Sequence, residues 1–258
     1  GENFQGARVA SKNSKLRVSK TRVNERGDYL FFDVAIAKNT PSGKYGFDVV
    51  TAAGKTSVPF EISDQLDVKG TRYGPIDGSD IVYLIMTDEV TFCDKPWCPM
   101  ASYHGYGSID HYGVETHFGS MRDLREMIVR ANLADIKVIQ DQVFNHVGFR
   151  HPWMKNPPLA NWFTPWEQTR FNNSSLLSPN SPKSEVDNTL KGWFDFTLPD
   201  LNYDEPEVER YQIQNALWWI GMTGIDGIRQ DTIQYVPRRV IRNWSEAILK
   251  QYPKFYMV

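Results

Sequence analysis

From residue 80 onward the chain alternates short apolar runs with amphipathic stretches of helical period, and this alternation limits the fold more than any other feature. IVYLIMT (81–87) is continuously apolar, as a strand buried on both faces of a parallel sheet must be. Ser120 opens SMRD, a capping-box pattern that satisfies backbone N–H groups at a helix start, and Met121, Leu124, Ile128 and Ala131 follow on one face. A strand is expected over 136–144 (IKVIQDQVF). Ile213, Ala216, Leu217 and Ile220 recur at helical spacing, and that helix is expected to end at Gly221 and Gly224, ahead of a strand over 225–230. Pro237 opens another helix that buries Val240, Ile241, Trp244 and Ile248, followed by a strand in KFYMV (254–258). Strand and helix in succession, with spacers of this size, make a parallel βα series over 80–258.

The front of the chain reads differently. From Lys15 to Ile62 there are short strands and turns: YLFFDVAIA (29–37), the turn TPSGKYG (40–46), and two strands around AAGK in FDVVTAAGKTSVPFEI (47–62). The expectation is a small all-β sandwich of immunoglobulin-like size over 1–63, with its first strand or two missing. Residues 64–79, DQLDVKGTRYGPIDGS, read as a polar, glycine-rich linker.

Composition excludes several function classes. Net charge is −2 with a pI near 6.2, so no basic surface points to nucleic acid and no polybasic patch points to anionic lipid. No apolar run approaches the length of a membrane span, and residues 1–20 lack a signal-peptide core. Aromatic residues make up 13% of the chain, with eight Trp and twelve Tyr, which suits stacking on flat ligand faces such as sugars as well as core packing. Cys93 and Cys98 in CDKPWC lack the second ligand pair a zinc site needs, and read as a loop disulfide or two thiols.

Sites in parallel βα folds gather beyond the carboxyl ends of the strands. Three stretches fall there: YHGYGSIDHY (103–112), DQVFNH (141–146) and GIRQD (227–231). Arg229 and Asp231 stand two apart on a strand, so alternation puts them on one face. Singly, each residue has an ordinary reading: an ion pair at a sheet edge, a strand-end cap at Asp141, a loop histidine at His146, core packing at Tyr106. Their order and spacing together argue for a site.

In that order and spacing the chain resembles the α-amylase family of glycoside hydrolases (family 13). DQVFNH looks like its first conserved region, GIRQD like its second and LPDLN (198–202) like the short region between, while YHGY before a D-x-Y is its usual lead-in. HPWMKNPPLANWF, GWFDFTLPDLN and QNALWWI resemble the neopullulanase and cyclomaltodextrinase branch, close to the starch-utilisation amylases of Bacteroidetes, and YLFFDV matches that branch's amino-terminal domain.

The resemblance implies a (β/α)8 TIM barrel, partly present here, behind an immunoglobulin-like domain. It implies a retaining hydrolase of α-1,4 and possible α-1,6 glucosidic bonds in maltooligosaccharides, cyclodextrins or pullulan. Asp231 would be the nucleophile, Arg229 its counter-charge and Asp141 the anchor of Arg229. His146 would hydrogen-bond a sugar hydroxyl, Tyr106 would stack under the ring, and His104 would join the substrate contacts. Asn145 and Asp200 match positions that hold calcium in some members, whereas others carry Lys at the second position and bind no ion there. A periplasmic or secreted bacterial enzyme is implied as well. Two alternatives stay open on this scaffold: a non-catalytic α-glucan-binding protein, and a transglycosylase.

Two departures stand beside the matches. About fourteen residues, TDEVTFCDKPWCPM, separate the first apolar run from ASYHGYG, where the family has a helix and another strand. A discontinuity between about Thr87 and Phe92 is therefore expected. The chain also ends at KFYMV, before the family's Gly-Glu that carries the general acid/base, so it reads as about four strands of an eight-stranded barrel.

Overall fold

A computed structural model describes residues 1–64, 66, 76, 79–83, 105–116, 118–165 and 176–258. The expected linker, the fourteen-residue segment with its discontinuity, Cys93, Cys98 and His104 lie wholly or mostly outside them.

The chain forms two compact units. The first comprises Gly1–Asp64 and residues 158–160. It holds β1 (Arg8–Ser11), β2 (Leu16–Val23), β3 (Leu30–Ile36), β4 (Gly43–Thr51) and β5 (Gly54–Ile62). The strands make two antiparallel sheets, ordered β1-β4-β5 and β2-β3. Phe47 of β4 is 2% exposed and meets Phe32 of β3 and Phe60 of β5, each with ring centroids 5.3 Å apart. The Phe32 contact joins the inner faces of the two sheets, and the Phe60 contact packs neighbouring strands of one sheet. β1 begins before the stretch read as strand-rich, because four residues with weak alternation carry little signal.

The second unit holds the βα series. Helix α1 (Met121–Leu133) starts at Ser120, whose hydroxyl accepts from Asp123 N–H while the Asp123 carboxylate accepts from Ser120 N–H at 2.8 Å. This is the capping box read from SMRD, and Ile128 is buried on the expected face. Next come β6 (Ile139–Val143), α2 (Lys183–Lys191), α3 (Pro206–Thr223), β7 (Gly227–Asp231), α4 (Arg238–Gln251) and β8 (Tyr256–Met257). Strands β6, β7 and β8 lie side by side in that order, and both pairings are parallel. Helix α4 buries Val240, Trp244 and Ile248, with Phe144 packed on Trp244 at 5.7 Å.

Three expectations change. Helix α3 starts seven residues before Ile213, with Glu205 capping and Pro206 in the first turn, and it runs through Gly221 to stop at Gly224, which has a φ of 72°. Only the second glycine takes the left-handed conformation that ends a helix. The buried face of α3 is also partly polar, including Gln212, Asn215 and Thr223. The strand expected from Ile81 is not formed over 81–83, where Ile81 is 96% exposed. An apolar strand is buried only when strands flank it, and these residues pair with none of the described strands.

Candidate active site

The register of β6 against β7 builds the site. Asp141 is the direct partner of Arg229, and Val143 of Asp231. Alternation then sends Asp141, Arg229 and Asp231 to one face, and Gln142 and Gln230, also partners, to the other. Arg229 Nη1 donates to Asp141 Oδ1 at 2.9 Å and Oδ2 at 3.1 Å, and to Asp231 Oδ1 at 2.6 Å. One cationic nitrogen thus holds two carboxylates from neighbouring strands. Tyr106 Oη donates to Asp141 Oδ2 at 3.2 Å.

Charge follows this geometry. Burial pushes the Asp141 carboxyl up and the Asp231 charge adds to it, against the hydrogen bonds and charge of Arg229. Burial pulls the Arg229 guanidinium down, yet its bonds to the two carboxylates push it up on balance. The two partners pull in opposite senses. The 2.6–3.1 Å contacts decide for an ion pair, because one cation between two carboxylates favours the charged forms. Burial, then the charges of Asp141 and Asp231, push the Tyr106 phenol up, which keeps it a donor.

His146 is fully buried, its Nε2 lies 3.2 Å from the Tyr106 carbonyl oxygen, and its ring stacks on Phe194 at 5.1 Å. It therefore holds the Tyr106 backbone in this structure. Residues 145–149 pair antiparallel with 197–201: Leu201 N–H donates to Asn145 O at 2.9 Å, Val147 to Pro199 at 3.1 Å and Phe149 to Thr197 at 2.9 Å. This pairing sets His146 opposite Asp200 and brings the Asn145 side chain to the Asp200 carboxyl.

Asp200 is 2% exposed and accepts from Phe194 N–H at 2.7 Å. Burial pushes its carboxyl up to about 8, against the bonds from Phe194 and Asn145. No cationic side chain pairs with it among the described residues. A buried carboxyl without a counter-charge, next to a side-chain amide whose oxygen could turn toward it, fits a hard cation such as calcium. No group of three or more His, Cys, Asp or Glu gathers for a metal among the described residues, so carbonyls and water would complete the shell.

A cavity of about 530 Å³ is lined by Asp141, Gln142, Asn215 and Trp219, but not by Arg229 or Asp231. His111, which also lines the cavity, forms a ring cluster with His151, Trp153 and Tyr211 at centroid separations of 4.2–6.0 Å. Burial, then His151 and His146, lower His111 to about 3, and burial lowers His151 to about 4. Both are neutral in the fold and take up protons in the unfolded chain near pH 6.5. Their stabilisation is complete above that pH and falls as pH drops toward 4 and then 3. The melting temperature should fall over this window, by several degrees for the pair, and His111→Phe should flatten the slope. An unchanged slope would remove His111 from the acid response.

Of the residues singled out in the sequence, the structure brings together Tyr106, Asp141, His146, Arg229 and Asp231 as one group, and Asn145 and Asp200 as another. Phe194 and the amides Gln142, Gln230 and Asn215 were not singled out. For the two glutamines, strand alternation beside Asp141 and Asp231 was the signal available.

A parallel βα domain with a carboxylate–guanidinium–carboxylate cluster at its strand ends carries charged groups where folds of this class place their active sites. The profile of the α-amylase catalytic domain matches residues 88–256, and the chain belongs to that family. It is 30% identical over 206 residues to alpha-amylase 3 of Dictyoglomus thermophilum, covering 74% of this chain and 40% of the relative. It is 29% identical over 161 residues to a cyclomaltodextrinase of Geobacillus thermopakistaniensis, covering 61% of this chain and 26% of that one. Among solved structures, an alpha-amylase from Geobacillus thermoleovorans complexed with acarbose matches with a TM-score of 0.52 at 36% identity, over 60% of this chain and 32% of that one. The chain thus spans well under half the length of each of these relatives.

Proposed function

We propose that this chain is part of a retaining glycoside hydrolase acting on α-1,4 bonds, with α-1,6 bonds as a further target, in starch-derived glucans: maltooligosaccharides, cyclodextrins or pullulan. The observation that carries the reading is Arg229 Nη1 clamped between Asp141 and Asp231 at the ends of adjacent parallel strands. Asp231 attacks the anomeric carbon as the glycosidic C–O bond breaks, and the glycosyl-enzyme ester is then hydrolysed by water. The leaving oxygen takes its proton from the glutamate that family resemblance places after β8. Arg229 keeps the nucleophile charged and Asp141 keeps Arg229 in place. Tyr106 offers a ring to the sugar face, and His146 reaches a sugar hydroxyl by exchanging its contact with the Tyr106 carbonyl. His104 belongs to the same reading by resemblance.

Proton NMR of fresh products from maltoheptaose tests the mechanism. The α-anomer should appear first, and initial release of the β-anomer would overturn retention. Transfer to a sugar acceptor would use the same intermediate, and a 4-alpha-glucanotransferase of Thermotoga maritima is 29% identical over 154 residues. The β-unit is read as the immunoglobulin-like domain of the neopullulanase branch, near the Bacteroidetes starch-utilisation amylases, with a periplasmic or secreted location that cell fractionation would check.

Calcium held by Asn145 and Asp200 is part of the same proposal; bound, it supplies the charge that the buried carboxyl lacks. Adding calcium to chelator-treated protein should raise the melting temperature by several degrees, since ligand at about 100 Kd contributes about 2.7 kcal/mol. Asp200→Ala should abolish the rise. A melt that ignores millimolar calcium would remove the ion.

A further inference from the structure

Behind the site runs a chain of buried amides. Gln230 Nε2 donates to the Gln142 carbonyl at 2.9 Å and to the Asp231 carbonyl at 3.1 Å. Gln142 Nε2 donates to Asn215 Oδ1 at 3.1 Å, and Asn215 Nδ2 donates to the His111 carbonyl at 2.7 Å, beside Trp219 Nε1 at 2.8 Å. Gln142, Asn215 and Gln230 are all buried. The chain therefore crosses from β7 through β6 and helix α3 to the segment that begins with Tyr106.

Each end of this path bears on the site. Gln142 and Gln230 are the strand residues next to Asp141 and Asp231, facing the other way. His111 lies at the far end of the segment whose near end is held by Tyr106 Oη on Asp141 and by His146 at the Tyr106 carbonyl. Segment 106–111 is thus pinned twice, once at the site and once from the helix side. A buried amide that loses its partner leaves another polar group unsatisfied, so this pin resists exchange.

We propose that Asn215 is a positioning residue: through Gln142 and the His111 carbonyl it sets the placement of Tyr106 relative to Asp141, Arg229 and Asp231. The inference rests on the reading of Tyr106 as the sugar platform. It assigns to helix α3 the control of how the platform meets the nucleophile.

A double-mutant cycle in the complete protein tests this, with maltoheptaose as substrate and a thermal melt on every variant. Asn215→Leu keeps the branched shape and removes the hydrogen bonds to Gln142, the His111 carbonyl and Tyr112. It should lower kcat/KM by about tenfold or more, since small misplacements of site groups carry costs of that order. In a Tyr106→Ala background the same substitution should cost nothing further in kcat/KM, while the drop in melting temperature stays the same. A purely structural amide would give equal losses of activity in both backgrounds, and that result would overturn the proposal. If Asn215→Leu does not accumulate as folded protein, Gln142→Met breaks the path one step earlier and the same cycle applies. Tyr106→Ala without effect on its own would strike down the platform reading, and this inference with it. An effective Tyr106→Ala with additive losses would strike down only the role of Asn215.

Discussion

Asp231→Asn should lower kcat on maltooligosaccharides in the complete protein by about four orders of magnitude or more, the scale seen when a covalent nucleophile is removed. The melt should hardly move. Asn is the same size, and its amide oxygen can still accept from Arg229 Nη1, which now sits 2.6 Å from Asp231 Oδ1. The substitution removes a charge and a nucleophile from the rim while Asp141 continues to hold Arg229 through two contacts. Rate and stability therefore separate. Near-normal turnover would sink the assignment of Asp231. A large fall in melting temperature together with modest loss of rate would return the pair to a sheet-edge role.

How much of this was legible depends on which physics each residue obeys. Helices α1 and α4 were readable because their apolar positions recur at helical spacing and their starts carry local signals, Ser120 with Asp123 in one and Pro237 in the other. The shared face of Arg229 and Asp231 followed from alternation within one strand. Their partnership with Asp141 did not, since register between strands far apart in sequence is set by packing, and only family resemblance supplied it. Helix α3 was read by its apolar residues alone. Its inner face carries Gln212, Asn215 and Thr223, buried polar groups that hydropathy assigns to solvent. Of these, Asn215 is held by Gln142 and the His111 carbonyl, and Thr223 donates to the Trp219 carbonyl at 2.7 Å. Burial of polar side chains depends on partners elsewhere in the chain, and no local pattern announces them. At Ile81–Tyr83, the described part of the first apolar run, no strand forms, because composition describes a strand's preference and not the neighbours it needs.

Arg229→Leu should also damage activity severely, though less than loss of the nucleophile, by about a hundredfold to a thousandfold at neutral pH and for a different cause. Without the guanidinium, Asp141 and Asp231 face each other on the rim with no cation between them. Asp141 is already pushed up by burial and by the Asp231 charge, and it would lose the hydrogen bonds and charge that oppose those effects. Two carboxylates in that position share a proton to higher pH than either would alone. The acid limb of the pH–rate profile should move to higher pH, and part of the lost activity should return as the medium becomes more alkaline. Arg229→Lys keeps a positive charge but not the contacts of one terminal nitrogen with both carboxylates, so its limb should move less. Stability should change little, because the Arg229 side chain is 45% exposed and ion pairs open to solvent contribute weakly. An acid limb that stays in place in the leucine variant would mean that Arg229 does not govern the charge of the rim. The loss of rate would then have to come from misplaced carboxylates alone, and the tyrosine bonded to Asp141 at 3.2 Å would be the next group to test.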